Sequence, residues 1–98
     1  MTYYIDIDNT ICKTEGNDYQ HAIPIPKNIA KINKLYDEGH IIIYWSSRGM
    51  TSGTSWLLLT INQLREWGVK HHSVHLNKPS FDFIIDDKCL KIEDIDND

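Results

Sequence analysis

Cysteine is scarce in this chain. Cys12 and Cys89 are the only two, and no metal-motif spacing surrounds them. Neither a disulfide framework nor a cysteine zinc site is expected, and both read as free thiols. Cys12 has no base beside it, so a structural thiol is expected rather than a nucleophile. No apolar run approaches the ~20 residues that span a bilayer, and no signal-peptide pattern precedes the first apolar stretch. The expectations are cytoplasmic residence and no membrane partner. Positive charge is not in excess: 10 Lys and Arg against 14 Asp and Glu leave a net charge of -4. No nucleic-acid partner is therefore expected. Repeats, low-complexity tracts and linkers are missing as well, and 98 residues suffice for one small domain, 1–98, with a thin core.

What the chain does have is a set of apolar stretches that each end in polar groups. Tyr3, Tyr4, Ile5 and Ile7 are β-formers that lead into Asp6, Asp8, Asn9 and Thr10. In a regular strand Asp6 and Asp8 share one face. Two neighbouring carboxylates repel unless a cation sits beside them. Residues 41–45 (Ile-Ile-Ile-Tyr-Trp) end in Ser46, Ser47, Arg48 and Gly49, and residues 81–85 end in Asp86, Asp87 and Lys88, with Lys78 and Pro79 just before them. In open parallel α/β sheets the ligand crevice lies at the carboxyl ends of the strands.

Between these stretches the pattern alternates. Residues 11–25 are polar and turn-rich and read as a loop or small hairpin over the site, from which Tyr19 and His21 are candidate substrate contacts. Pro26 opens a helix in which Ile29, Ile32, Leu35 and Tyr36 recur at helical spacing, with Lys27, Lys31 and Lys34 on a solvated side and Gly39 as its stop. A second helix is expected over 54–67, with Leu57, Ile61 and Leu64 as its core stripe. Residues 73–76 read as a third strand, 81–85 as a fourth, and the acidic tail 91–98 as frayed. His71, His72 and His75 have no partners at zinc-ligand spacing, so no zinc site is expected there.

Together these clusters resemble the haloacid dehalogenase-like (HAD) phosphohydrolases. Asp6-Ile7-Asp8-Asn9-Thr10 matches the first motif of that family, Ser46 with Ser47 and Arg48 the second, Lys78 the third and Asp86-Asp87 the fourth. Lys88 is an alternative for the third. The resemblance covers residues 3 to 90 in the family's order. It implies a Rossmann-like three-layer α/β/α sandwich with a small, mostly parallel sheet and no cap domain. It also implies a magnesium-dependent phosphomonoester phosphatase. Asp6 would be the nucleophile that carries an aspartyl-phosphate and Asp8 the acid and base. Ser46, Ser47 and Lys78 would hold the phosphate, and Asp6, Asp8 through its backbone carbonyl, Asp86, and Asp87 directly or through a water would hold Mg2+. Arg48 is a further candidate substrate contact. The compact pattern is also similar to capsule or polysaccharide biosynthesis phosphatases, which implies a sugar phosphate or polysaccharide precursor as substrate. Two readings from other classes stand beside it: a receiver-like phosphoacceptor domain and a non-catalytic metal-binding module.

One absence bears on assembly. No charged residue occurs from Gly49 to Leu64, and Trp56, Leu58, Leu59 and Trp67 lie off the expected core stripe of the second helix. A helix that is apolar nearly all round is buried on more than one side, so a homo-oligomer, dimer or tetramer, packed through this helix is expected.

Overall fold

The computed structural model describes residues 1–96. Strand β1 (Thr2–Ile5) is followed by a two-strand hairpin, β2 (Cys12–Lys13) and β3 (Ile23–Pro24), interrupted by a 3-10 turn at Tyr19–His21. Helix α1 (Pro26–Asp37), strand β4 (Ile41–Trp45), helix α2 (Leu57–Glu66) and strand β5 (Ser73–His75) complete the regular elements ahead of a 3-10 turn at Ile92–Asp94. The main sheet runs β1-β4-β5, and both of its pairings are parallel. No helix of the described residues is long and apolar enough to cross a membrane.

Local chemistry accounts for these boundaries. Pro26 sits in the first turn of α1, where its missing N–H costs nothing. Gly39, at φ 95°, takes the left-handed conformation that ends the helix, and the N–H groups of Gly39 and His40 close onto Tyr36 and Leu35. The chain then enters β4 directly. Alternation along the strands sends Ile5, Ile42 and Tyr44 into one hydrophobic cluster with Ile29 and Ile32 of α1 and Leu64 of α2. Both helices lie over this one face. Asn33 of α1 donates to the Gly68 carbonyl just beyond α2 (2.9 Å), which ties them side by side.

The α/β class and the small parallel, Rossmann-like sheet are as expected, but a second helical layer is not among the described residues. The fourth strand expected over 81–85 is also not formed: Phe83 and Ile85 stand 89% and 101% exposed. Connectivity is the reason. A parallel crossover needs about a dozen residues or more, and only residues 76–80 separate β5 from 81. Lys78 shortens that tether further, because its N–H is bonded to the Ser46 carbonyl at the carboxyl end of β4 (3.1 Å).

Three smaller expectations change. Residues 91–96 are docked rather than frayed: Ile92 and Ile95 pack on the core. Asn97 and Asp98 lie outside the described residues. Lys31 is buried and reaches the Ile92 carbonyl (3.1 Å), so it is not part of a solvated row. Helix α2 is rotated from its expected stripe. It buries Thr60, Gln63 and Leu64, while Leu57 and Ile61 are exposed.

The core holds one unsatisfied group. Tyr44 is fully buried, and its hydroxyl has no hydrogen-bond partner among the described residues. Burial drives its ionisation far above the ordinary phenol range. Stranding a polar group costs about 1–3 kcal/mol. Tyr44→Phe is expected to raise stability by about 1 kcal/mol, read as a higher urea midpoint at unchanged slope. A lower midpoint would mean that the hydroxyl has a partner.

Candidate active site

The polar groups gather where β1 and β4 end. After Ile5 the chain leaves the sheet in a tight turn. The N–H groups of Thr10 and Ile11 both close onto the Ile7 carbonyl (3.1 and 3.0 Å), and Asn9 adopts φ 63°. Asn tolerates that left-handed conformation better than most residues. The Asn9 side chain accepts from the Thr14 N–H (3.2 Å), and Asn28 of α1 donates to the Thr10 carbonyl (2.9 Å). The turn is thus held from both sides, and the direction of Asp6 and Asp8 is set by buried Ile7 between them.

The two carboxylates have different surroundings. Asp6 is part exposed, with the Lys78 ammonium 3.6 Å from Oδ1 and the Thr10 hydroxyl 3.5 Å from Oδ2. Burial pushes its carboxyl above the ordinary value; the Lys78 charge acts in the opposite direction, and the neighbouring Asp8 adds to the rise. Asp8 is turned inward. Arg48 meets it in a two-point pairing, Nε to Oδ2 at 2.9 Å and Nη2 to Oδ1 at 2.8 Å, and the Thr14 hydroxyl adds 2.6 Å to Oδ1. For Asp8 to exchange a proton with a reacting group, one oxygen must turn away from Arg48.

Arg48 is the centre of this arrangement. It is 2% exposed and donates through Nη1 to Thr60 Oγ1 (3.0 Å) and Gln63 Oε1 (2.6 Å). Gln63 in turn donates to the Tyr19 carbonyl (2.6 Å), and the Tyr19 ring lies 4.9 Å from the guanidinium and edge-on to Trp56. A buried cation needs every donor satisfied. That need explains the rotation of α2: its inner face carries acceptors for Arg48. Gly49 lets the chain turn off here at φ 82°, where an added Cβ would collide with the Thr54 carbonyl oxygen.

Ser46 is buried. Its Oγ accepts from the Arg48 N–H (3.2 Å), and its own N–H is bonded to the His75 carbonyl (2.9 Å). Ser47 is part exposed beside it. Of the two lysines, Lys78 is the one beside Asp6, over the Trp45 and Phe81 rings at 5.8 and 5.2 Å. The N–H of exposed Lys88 instead closes a turn onto Asp86 Oδ1 (3.0 Å). His21 pairs with Asp18 at the surface (2.8 Å), where the side chain is 74% exposed. Cys12 is buried with its thiol pushed above the ordinary range by burial, which suits a structural role. A cleft of about 420 Å3 opens beside Arg48, lined by Thr54, Ser55, Trp56, His75 and Asn77 among others.

Magnesium takes oxygen ligands, with one or two carboxylates completed by waters and phosphate. Among the described residues no three His, Cys, Asp or Glu side chains gather. The Asp8 side chain is held by Arg48 and Thr14, which leaves its backbone carbonyl as the group to face a metal, but Asp86 and Asp87 are exposed on the segment that forms no strand. The lowered ionisation of Asp86 comes first from the backbone N–H of Lys88, its own turn. The residues as arranged do not gather Asp6, Asp86 and Asp87, so they do not fit the magnesium site that the resemblance implies.

Sequence reasoning missed Thr14, Thr60 and Gln63. A signal for the last two existed: they are polar residues three apart in a stretch that carries no charge.

No protein-family model and no curated protein matches this chain. Among solved structures, a crystallised target protein from Vibrio cholerae is similar, with a TM-score of 0.86 at 19% identity over 95% of this chain and 85% of that one. The fold is shared. At that identity the likeness establishes architecture alone.

Proposed function

We propose that the chain is a phosphomonoester phosphatase that works through an aspartyl-phosphate on Asp6, a HAD-type hydrolase without a cap. The observation that carries this reading is the Asp6–Lys78 pair, 3.6 Å apart at the carboxyl end of β1, next to buried Ser46 and to Asp8 held by Arg48. A part-exposed carboxylate beside a cation and a hydroxyl is a site for an incoming phosphoryl group. Asp6 attacks phosphorus as the bond to the leaving oxygen breaks. Asp8, protonated and with one oxygen turned from Arg48, gives that oxygen its proton and later regains one from the water that cleaves the acyl phosphate. Lys78 and Ser46 hold the phosphoryl oxygens, with Ser47 next to them. The magnesium that the resemblance implies would need Asp86 and Asp87, which stand apart, so these roles rest on side chains alone.

The substrate class we propose is a small sugar phosphate or polysaccharide precursor. Thr54, Ser55, His75 and Asn77 offer polar groups to hydroxyls across the cleft, and Trp56 offers an aromatic wall. Phosphate release from a panel of phosphorylated sugars, polyols and nucleotides, with and without magnesium, tests the reading. Continuous turnover with preference for sugar phosphates is expected. One phosphorylation per chain without turnover would favour the receiver-like reading, and no phosphate chemistry at all would favour the binding module.

A further inference from the structure

Gln63 is 6% exposed on the inner face of α2, and the chemistry of its neighbours fixes its orientation. The Arg48 guanidinium offers only donors, so the amide oxygen faces it, Oε1 to Nη1 at 2.6 Å. The amide nitrogen is left for the Tyr19 carbonyl, also at 2.6 Å. A carboxylate at this place would serve Arg48 and repel the carbonyl, and an ammonium would do the reverse. Thr60 Oγ1 accepts from the same Nη1 (3.0 Å) but makes no hydrogen bond to the hairpin. The excursion 14–22 between β2 and β3 reaches the Asp8–Arg48 pair at two points. The Thr14 hydroxyl donates to Asp8 Oδ1 (2.6 Å), and the Tyr19 ring lies 4.9 Å from the guanidinium. Burial, and after it the Asp8 charge, push the Tyr19 phenol above its ordinary value, while Arg48 acts the other way. Among the described residues, the hydrogen bonds of 15–22 are internal except the one from Gln63.

We infer that Gln63 is a positioning residue for the acid: it clamps the 14–22 excursion onto the Arg48–Asp8 pair, so that hairpin and guanidinium together set the direction of Asp8. The inference rests on the phosphatase reading of Asp6 and Asp8. Gln63 touches no reacting atom and acts through its two partners. The hold on the two Asp8 oxygens is unequal. Oδ1 takes Arg48 Nη2 (2.8 Å) and the Thr14 hydroxyl (2.6 Å), whereas Oδ2 takes Arg48 Nε alone (2.9 Å). Oδ1 is therefore the pivot, and Oδ2 is the oxygen that turns toward the leaving group. The pivot keeps its place only while Thr14 and Arg48 stay in register, and Gln63 joins the excursion that carries Thr14 to Arg48. Releasing that excursion also admits water to the pair, which weakens its charged hydrogen bonds. Asp6 lies beside Lys78, outside this network, and keeps its own direction.

Leaving-group dependence tests this, with hydrogen exchange beside it. Gln63→Met keeps the length of the side chain and removes both hydrogen bonds. Thr60→Val removes an acceptor from the same Arg48 nitrogen and leaves the hairpin tied. Proton delivery matters to an alkyl leaving oxygen and little to p-nitrophenolate, and kcat/KM reports the step in which Asp8 delivers it. A positioned acid is worth roughly 10²–10⁴-fold, of which Gln63→Met is expected to lose about tenfold on an alkyl phosphate and less than about threefold on p-nitrophenyl phosphate. Thr60→Val is expected to lose less than about threefold on both. Amides of 15–22 are expected to exchange faster in Gln63→Met and not in Thr60→Val, while those of β4 stay protected. Equal losses on the two substrates, the same profile in both variants, or unchanged exchange over 15–22 overturns the inference and leaves the phosphatase reading standing. An unaltered protein that releases no phosphate overturns both. If Gln63→Met loses the protection of β4, Gln63→Glu decides: it keeps the acceptor for Arg48 and loses the donor to Tyr19. The same split is expected of it, and an unaltered profile overturns the inference.

Discussion

Replacing Asp6 by Asn is expected to stop phosphate release, lowering kcat by roughly 10⁴-fold or more, the scale seen when a covalent nucleophile is removed. Asp6 is the carboxylate that faces out of the turn beside Lys78, whereas Asp8 is turned in toward Arg48. The fold is expected to keep or gain stability, and the sign follows from linkage. Burial raises the Asp6 carboxyl above its ordinary 3.8 in the folded state, so the folded protein holds this proton more tightly than the unfolded chain does. Stability is then lost as pH rises through 3.8 toward the raised value, and the full cost is present at neutral pH. Asn carries no such cost. Asp6→Asn should therefore melt at or above the wild-type temperature at pH 7, and the gap should close below 3.8, where both side chains are neutral. Near wild-type turnover by the folded variant would remove Asp6 from the role of nucleophile. A lower melting temperature at pH 7 would show that the Lys78 pairing outweighs desolvation.

Arg48→Ala is expected to be the most destabilising single change in the site. It leaves Asp8, Thr60 and Gln63 without the donor that joins them. Removing one partner of a buried ion pair costs about 3–5 kcal/mol. The lower end, about 3 kcal/mol, applies because Asp8 is 19% exposed and water can reach it. For a chain of this size that corresponds to a melting temperature lower by about 12 °C or more. Arg48→Lys should recover less than half, because a single ammonium cannot bridge both Asp8 oxygens and also reach Thr60 and Gln63. A double-mutant cycle with Asp8→Asn isolates the pair, and a coupling above about 1 kcal/mol is expected. If Arg48→Ala melts within a few degrees of wild type, the network does not hold α2 to the site. The same variant should lose turnover at temperatures where it is still folded, since Asp8 loses its fixed direction.

How much of this was legible depends on which forces act locally. The chain sequence determined β1, β4 and α1 nearly to the residue, through β-forming runs, Pro26 and Gly39. It also determined that Asp6, Asp8, Ser46 and Arg48 follow strand ends, because a parallel pairing in register brings those ends to one edge. Lys78 could be told from Lys88 only in three dimensions, by which ammonium comes within 3.6 Å of Asp6. Helix α2 was located within a few residues but turned to the wrong face. A hydrophobic stripe predicts which side is buried only when the core is apolar, and here a buried guanidinium 12 and 15 residues upstream needs Thr60 and Gln63 on the inside. The stretch 81–85 has the composition of a strand, but strand formation needs a partner edge within reach of its tether, and residues 76–80 are too few for a parallel return. Local propensity and capping set the elements. Side-chain satisfaction across the core and the length of the connections, which are properties of the folded whole, decided which faces they present and whether Asp86 and Asp87 join Asp6.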